Sequence, residues 1–499
     1  MHRVARLLPM ASMCAGLALR LCGAQAADLY SVYRDALAND PTYQQAHATY
    51  MAAREARPEA WAALLPQLSG SAGKTWTHSA GLSTQAGLSK PPTPFSFYTT
   101  TRGFTNQWSL DLSQQIFNWS DWMSLKAADQ QVAQAEANYQ SAGQNLILRV
   151  STAYFNVLAA LDTLKAQQSS LEAYDLQLQQ ANKRYEVGLI AITDVEQARA
   201  ARDTAAAAVI TAKQSVATAE DQLQVITNRQ YGTLAEPGLN MPLLTPQPAN
   251  QGAWVQTSLR QNLALIASRF AANVARENVR IAFSGHLPIV SLIASRSFNS
   301  GGTNEAINGV GDFAALPSWS NDRQIGVQVT VPIFSGGGTF ARVHQAQYQW
   351  IAAKDAMQQT TRTTEQQARD GYLGVISGIA NVQAYRQALT SAETAFKATE
   401  AGYRVGTQTE VDVLNSLSAL VLARTNFATS RYSYITSVVQ LRYAAGTLDP
   451  NEVLAINHWL TVMASVSPGP LTPEGMTPKA APPTPQPPPP PPPLRKRKP

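Results

Sequence analysis

Tyr185-Glu186-Val187-Gly188 occurs again, with only its second residue changed, as Tyr403-Arg404-Val405-Gly406, 218 positions further along the chain. The residues from 146 onward match those from 364 onward at the same shift. A repeat of this length is a complete structural unit rather than a short solenoid module, so we expect two similar halves. Each half reads as a short helix, a strand, a loop, a strand, a very long helix, a tight turn and a returning helix.

The repeat predicts the division of the chain. We expect a leader at 1–26, a first half at 27–247, a second half at 248–465 and a Pro-rich basic tail at 466–499. The predicted elements of the first half are a short helix at 28–63, strands at about 66–78 and 104–117, a long helix at 121–187 and a returning helix at 191–229. Those of the second half are a short helix at 252–284, strands at about 287–298 and 323–334, a long helix at 338–405 and a returning helix at 409–444.

The leader has the features of a secretory signal peptide. Arg3 and Arg6 form a basic start, an apolar stretch follows to Leu21, and Ala24-Gln25-Ala26 is a small-x-small cleavage site. A first membrane span is the alternative, but the apolar stretch is too short for one. Cys14 and Cys22 both lie in the leader, so the mature chain would have no disulfide and no thiolate metal site.

The predicted strands alternate between apolar and polar residues. Ile325, Val327 and Val329 alternate with Gly326 and Gln328. Such alternation is typical of outer-membrane barrel strands, although a soluble sheet with one wet face alternates equally well. Aromatic residues at the strand ends favour the membrane, because they resemble an interfacial girdle: Trp76, Phe104, Trp108, Phe298 and Trp319.

Four strands cannot form a closed barrel, because at least about eight strands are needed. In lipid an open edge would leave backbone groups unpaired, so the chain must oligomerise. A dimer would supply eight strands and a trimer twelve, and only the larger barrel leaves a water-filled lumen. The intervening loops, 79–103 and 299–321, are rich in Gly, Ser, Pro and Asn and are expected to face outward.

The predicted long helices exceed the size of a globular domain. From Asp121 to Tyr185 the only Gly or Pro is Gly143, and about 65 residues give a rod on the order of 100 Å. Apolar residues follow a coiled-coil spacing along one seam of this helix: Val150, Tyr154, Val157, Leu161, Leu164, Leu171, Leu178 and Tyr185. A hollow helical barrel and a solid coiled-coil stalk both fit this pattern.

Several motifs resemble the TolC family of outer-membrane channels, which serve efflux pumps and type I secretion systems. The matching stretches cover most of residues 28–460: Arg184 to Val195, Val331-Pro-Ile-Phe-Ser-Gly-Gly337, Ala401 to Gly406, Val411-Asp-Val-Leu414 and Ala444-Ala-Gly-Thr-Leu448. The resemblance implies a homotrimer with a twelve-stranded β-barrel in the outer membrane of a Gram-negative bacterium and a long α-helical coiled-coil barrel in the periplasm.

The resemblance also implies partners and a transport role. The channel would be the exit duct for an inner-membrane transporter of the ABC, RND or MFS type, joined to it by a periplasmic adaptor. The fold class is therefore predicted to be all-α plus transmembrane β, in contact with outer-membrane lipid. No nucleic acid, cofactor, metal or catalytic residue is expected.

The same resemblance assigns a periplasmic gate to the ends of the long helices. Gly188 and Gly406 would form the hairpin turns, which a helix C-cap glycine also explains. Polar links would join Thr193 and Asp194 on the first hairpin to Tyr403 and Gln408 on the second. The family has an arginine at the position of Gln408, so a bond between Asp194 and Gln408 would lack charge assistance and be roughly half as strong.

Two further positions would line the narrowest part of the tunnel. Asp412 matches a ring of carboxylates, and Asn415 stands where the family has a second aspartate. One ring of carboxylates instead of two predicts weaker cation selectivity. A solvated aspartate on a helix surface is the alternative for Asp412.

The tail contains an unbroken proline run, Pro487–Pro493, before Leu494-Arg-Lys-Arg-Lys498. This composition predicts an extended, disordered segment. It is either a simple solvated tail or an arm that carries a basic tip to an anionic periplasmic surface. The formal charge of +6 comes from this tail and from the leader, so it does not indicate nucleic-acid binding.

Three other functions fit the sequence less well than an exit duct does. An enzyme is disfavoured because the mature histidines are scattered and no nucleophile–base motif is found. A purely structural coiled-coil protein is disfavoured by the alternating strands. A metal-efflux channel would share the architecture, but no His-rich or Met-rich tract supports it.

Overall fold

The computed structural model describes residues 27–86, 93–238, 241–307, 310–314 and 317–466. The predicted leader and, except for Val466, the predicted tail lie outside the described residues. Among these described residues, no helix combines the length and the apolar character that a bilayer crossing requires.

In both halves short helices, long strands, a very long helix and a returning helix follow one another in that order. The first half consists of α1 (Leu29–Asn39), α2 (Pro41–Arg54), α3 (Ala56–Ala62), β1 (Gln67–Ala86), β2 (Pro94–Phe117), α4 (Trp119–Glu186), α5 (Ile192–Thr227) and β3 (Thr233–Pro237). The second half consists of α6 (Gln251–Gln261), α7 (Leu263–Phe283), β4 (Ile289–Ile307), β5 (Val310–Ala314), β6 (Ser318–Thr330), α8 (Gly338–Arg404), α9 (Glu410–Ala445), α10 (Pro450–Asn457) and β7 (Leu460–Ser465).

The short helices predicted at 28–63 and 252–284 are interrupted at equivalent positions. Asp40 accepts a hydrogen bond from the Tyr43 N–H at 2.9 Å and so caps α2. Asn262, which lies 222 positions further on, accepts one from the Leu265 N–H at 3.0 Å and caps α7. These caps start new helices and end the preceding ones, because the capping residues have extended backbones.

The long helices are paired with their returning helices by polar contacts. Helix α4 has 68 residues and α8 has 67, which corresponds to about 100 Å for each. Arg202 on α5 pairs with Asp175 on α4 at 2.8 Å, and Arg424 on α9 pairs with Glu393 on α8 at 3.5 Å. Most of the predicted apolar seam is at least partly buried, but Tyr185 at its end is 46% exposed.

The main hydrophobic core surrounds Tyr154 and Phe155 in the middle of α4. Both side chains are buried, and the Tyr154 hydroxyl donates to the Ala235 carbonyl at 2.6 Å. This bond joins α4 to a small sheet in which β3 pairs with β7. The two short strands were not predicted, because a segment of five or six residues carries too little periodicity to be recognised.

The main sheet joins the two halves. Its strands run antiparallel in the order β1-β2-β4-β6, with β5 paired to the outer part of β4. In register, Leu68, Leu112, Ala294 and Ile325 form one row across four strands. The pairing of β2 with β4 therefore connects the hairpin of the first half to that of the second.

The strands extend further outward than the sequence predicted. Most of the predicted loops 79–103 and 299–321 is β-structure, because β1 continues to Ala86 and β2 begins at Pro94. Thr84 and Ser96 hydroxyls lie 2.8 Å apart across this extension. The prediction was wrong here because small polar residues suggested a loop, whereas the backbone ladder needs no apolar side chains. In contrast, β6 ends at Thr330 and not at 334, as Pro332 has no N–H to donate.

Candidate functional site

The two faces of the main sheet differ sharply in chemistry. One face carries the even-numbered residues of β1, β2 and β4, including Leu68, Leu110, Leu112 and Trp108, and the odd-numbered residues of β6. The opposite face carries Ser, Thr, Gly, Gln and Asp, with Ser71 and Ser109 hydroxyls 3.0 Å apart. A sheet with these faces can separate an apolar environment from a water-filled one.

Aromatic side chains mark both ends of a segment of membrane length. At the outer end, Trp108 stacks with Phe298 across β2 and β4, at a centroid distance of 6.4 Å. At the junction with the helices lie further aromatic residues, which the sequence reading did not identify as a girdle: Phe117, Trp119, Trp122, Phe334 and Phe340, all exposed. Trp108 and Phe117 are nine positions apart, close to the 9–11 residues of a tilted membrane strand, so about one bilayer thickness separates the two girdles.

The far ends of the long helices form two tight turns. Gly188 has φ +77° and Gly406 has φ +85°. The Leu189 N–H donates to the Arg184 carbonyl at 2.9 Å, and the Thr407 N–H donates to the Gly402 carbonyl at the same distance. Each turn is a Schellman-type C-cap, in which glycine accepts the left-handed conformation without a Cβ clash.

A cluster of three side chains joins the two hairpins near these turns. The guanidinium carbon of Arg184 on α4 lies 4.2 Å from the centre of the Tyr403 ring on α8. Glu410, the first residue of α9, is 97% buried beside them. Among the described residues, no hydrogen-bond partner meets the Tyr403 hydroxyl or either carboxylate oxygen of Glu410.

The surroundings of Glu410 favour its neutral form. Burial raises the pKa of its carboxyl, and the nearby carboxylate of Asp194 on α5 raises it further, while Tyr403 and Arg184 oppose the rise. Burial, and secondarily Glu410, raises the pKa of Tyr403 to about 12. The cluster therefore contains one fixed cation and one carboxyl group whose charge depends on how tightly the hairpins are packed.

Within one chain, no hydrogen bond joins the side chains of Asp194 and Gln408. Within the described part of the chain, neither side chain makes a hydrogen bond or an ion pair, and Thr193 and Gln408 are exposed. Gln408 instead lies against its own hairpin, close enough that a Cβ at Gly402 would meet its Cγ at 2.8 Å. Of the four predicted link residues, Tyr403 meets the other hairpin through Arg184, and Asp194 lies near Glu410.

Asp412 has a structural role at the start of α9. Its Oδ2 accepts hydrogen bonds from the Thr409 N–H at 2.9 Å and from the Thr409 hydroxyl at 2.7 Å. The Thr409 hydroxyl oxygen in turn accepts a hydrogen bond from the Asp412 N–H. These bonds form a capping box and lower the pKa of Asp412. Asn415 is exposed and lines a 660 Å³ cavity between α4, α5 and α9.

Two of these residues could have been recognised in the sequence. Thr409-Glu410-Val411-Asp412 has the spacing of a capping box, and its counterpart in the first half begins with Ala191, which has no capping side chain. Glu410 stands where the first half has the apolar Ile192. A charged residue at a position that is apolar in the other copy was the available signal for the cluster.

Comparison with known proteins identifies the family. The sequence matches the outer membrane efflux protein family over residues 32–229 and 254–447. Outer membrane protein TolC of Escherichia coli K12 is 35% identical over 455 residues, covering 90% of this chain and 89% of that protein. The alkaline protease secretion protein AprF of Pseudomonas aeruginosa is 29% identical and covers 84% of each chain. The crystal structure of outer membrane protein VceC from Vibrio cholerae matches with a TM-score of 0.67 at 20% identity, covering 84% of this chain and 96% of that one.

These matches span both halves of the chain and agree with its architecture. The predicted fold class, with four barrel strands per chain above very long helices, is confirmed. The family consists of outer-membrane channels, so the predicted location and the predicted role as an exit duct, rather than an enzyme, are confirmed as well. The chain belongs to the outer membrane efflux protein family.

Proposed function

We propose that three copies of this chain close their sheets into one twelve-stranded barrel above a helical tunnel across the periplasm. The observation that carries the proposal is an open sheet with one apolar and one polar face, whose edge strands β1 and β6 each pair on one side only among the described strands. In lipid each unpaired backbone group costs several kcal/mol, so these edges must find partners. Twelve strands leave room for a water-filled lumen, whereas eight strands are filled by their own side chains.

The helical turns form the gated entrance of this duct. The cluster of Arg184, Tyr403 and Glu410 holds the hairpin of α8 and α9, the inner one in this arrangement, against the outer hairpin of α4 and α5. Within one chain this cluster joins the hairpins without a direct bond between Asp194 and Gln408. A cation–π contact contributes about 0.5–2 kcal/mol, a strength that suits a link that must open repeatedly. Asp412 and Asn415 follow on the inner hairpin and line the constriction in the trimer.

The duct works with one partner that supplies energy for transport and another that connects this partner to the channel. The glycine-rich Ser335-Gly336-Gly337-Gly338 is not followed by the Lys-Ser or Lys-Thr of a nucleotide-binding loop, so it offers no phosphate site. An inner-membrane transporter of the ABC, RND or MFS type would drive transport, and a periplasmic adaptor would connect it to the channel. The relatives include the alkaline protease secretion protein AprF and the antibiotic efflux pump outer membrane protein ArpC of Pseudomonas putida, so the proposal covers protein and small-molecule cargo.

Single-channel recording tests the proposal. The full chain, processed and purified from outer membranes in detergent, is sized by native mass spectrometry and inserted into planar bilayers. A trimer with small, cation-preferring conductance steps supports a nearly closed duct. A monomer without conductance contradicts the barrel and leaves a periplasmic coiled-coil protein.

A further inference from the structure

Two arginines lie side by side on the apolar face of the main sheet. Arg296 on β4 and Arg323 on β6 are directly opposite each other in the antiparallel register, and both side chains are exposed. Residues paired in this way have Cβ atoms about 4.5–5.5 Å apart, and like charges at that distance are destabilising. Within the described residues, neither guanidinium has a carboxylate partner. Their placement therefore needs an anion to offset the repulsion.

The position of the pair relative to the girdles identifies the environment of that anion. The next row of the same face, further from the helices, contains the stacked pair Trp108 and Phe298, and Arg296 lies 5.7 Å from the Trp108 ring centre. The row nearer the helices is wholly apolar and contains Leu68, Leu112, Ala294 and Ile325. An arginine on a lipid-facing strand costs about 2–4 kcal/mol at the bilayer centre and about 0–1 kcal/mol near an interface. The pair thus lies within reach of lipid headgroups.

An apolar groove leads away from the two arginines. Its volume is about 340 Å³, and its lining joins the guanidinium-bearing residues to three leucines: Leu68, Leu110 and Leu112. This combination is complementary to a phospholipid. The groove accommodates hydrocarbon, and the forked donors of the two guanidinium groups match phosphate oxygens.

We propose that Arg296 and Arg323 bind the phosphate of an anionic lipid, whose acyl chain occupies the groove formed by Leu68, Leu110 and Leu112. The site rests on the proposed outward-facing barrel, which places the apolar face in lipid and the arginine row in the leaflet remote from the helices. One phosphate bridging both guanidinium groups converts a like-charge repulsion into two charge-assisted contacts. The lipid would thereby hold β4 to the edge strand β6.

Lipid titration followed by native mass spectrometry tests the site. The purified trimer is titrated with phosphatidylglycerol, with diacylglycerol as a phosphate-free lipid, and with inorganic phosphate as a headgroup without chains. The wild type should bind phosphatidylglycerol at least about tenfold more tightly than the double variant Arg296→Gln/Arg323→Gln. Neither diacylglycerol nor inorganic phosphate should compete effectively.

A matched control uses a third cation on the same face. Lys74 lies over the rings of Trp76 and Phe104, at 5.1 and 5.2 Å, away from the groove. Lys74→Gln should leave phosphatidylglycerol affinity unchanged. Equal affinity of the wild type and the double variant would overturn the proposal, as would competition by inorganic phosphate alone.

The result can be separated from failure of the barrel itself. Trimer mass and single-channel conductance are recorded for every variant, so a protein that does not assemble is recognised directly. If the double variant does not assemble, the single variants Arg296→Gln and Arg323→Gln are titrated, each expected to lose part of the affinity. Full affinity in both assembled single variants would refute a bridging phosphate even if the duct is correct.

Discussion

Glu410 is the buried carboxyl residue of the cluster that joins the two hairpins. It is almost fully buried, lacks a hydrogen-bond partner among the described residues and faces Arg184, Tyr403 and Asp194 from three other helices. Burying a carboxylate is costly, so the packed arrangement raises the pKa of Glu410 even though Arg184 lies nearby. Separating the hairpins would expose the carboxyl and remove that cost.

We therefore expect the channel to open more readily as the pH rises. The pKa of Glu410 is raised in the closed arrangement, so its stabilising contribution is complete below the ordinary value of 4.5 and is lost as the pH rises through the raised value. Open probability in planar bilayers should increase over that window. Glu410→Gln, which stays neutral, should abolish the dependence.

Glu400→Gln is the control for this experiment, because Glu400 pairs with Arg404 on the surface of the same hairpin. It should retain the pH dependence of the wild type. An unchanged pH profile in Glu410→Gln would show that the carboxyl does not contribute to gating.

Asp412 allows a separate prediction about ion selectivity. Asp412→Asn removes the negative charge but keeps an oxygen that can accept from Thr409, so the capping box is largely retained. If three copies of Asp412 line the constriction, the ratio of cation to anion permeability in reversal-potential measurements should fall towards one. Glu196→Gln, an exposed carboxylate paired with Arg199, should leave the ratio unchanged. A ratio that stays constant in Asp412→Asn would assign this residue to capping alone.

At the scale of elements, the turn glycines limit which substitutions the hairpins tolerate. Gly406→Ala forces a Cβ into a backbone with φ +85° and should destabilise the turn by about 1–2 kcal/mol. Gly143→Ala is the matched control: its new Cβ would meet the nearest atom, on the Tyr43 ring, at 3.8 Å. That helical substitution should stabilise by about 0.5–1 kcal/mol. The midpoint of thermal unfolding, measured at one protein concentration, distinguishes them, and equal shifts would contradict the assignment.

The elements also show what could be predicted from the sequence. The long helices could be predicted from the sequence, because a stretch such as 121–187 that contains Gly143 as its one Gly or Pro strongly favours a continuous helix. The outer halves of the strands could not be predicted, because the Gly, Ser and Thr residues between 79 and 103 resemble a loop until the partner strand is known. The cluster around Glu410 depends on four helices meeting, and its one sequence signal is the charged Glu410 at the position where the first half has Ile192.

At the scale of the whole molecule, the two faces of the sheet should respond oppositely to charge. Ile325 lies on the apolar face and its neighbour Gln324 on the polar face of β6. Ile325→Lys should cost about 2–4 kcal/mol if the residue lies near the bilayer centre, whereas Gln324→Lys should be tolerated in a water-filled lumen. The yield of heat-stable trimer in outer-membrane fractions measures the difference. Equal yields for the two variants would show that the apolar face does not meet lipid.

The length of the outer strands has a consequence for what happens to cargo after release. From Trp76, which pairs with Phe104 beyond the Trp108 row, β1 continues for ten more residues to Ala86, which at about 3.3 Å per residue adds roughly 30 Å along the strand. The rim of the duct therefore lies well above the lipid headgroups. An apolar compound released at the rim must diffuse back through water and surface sugars before it can dissolve in the bilayer again. A rim at this height would reduce the return of an exported apolar compound to the membrane, so more of each exported molecule would stay outside the cell.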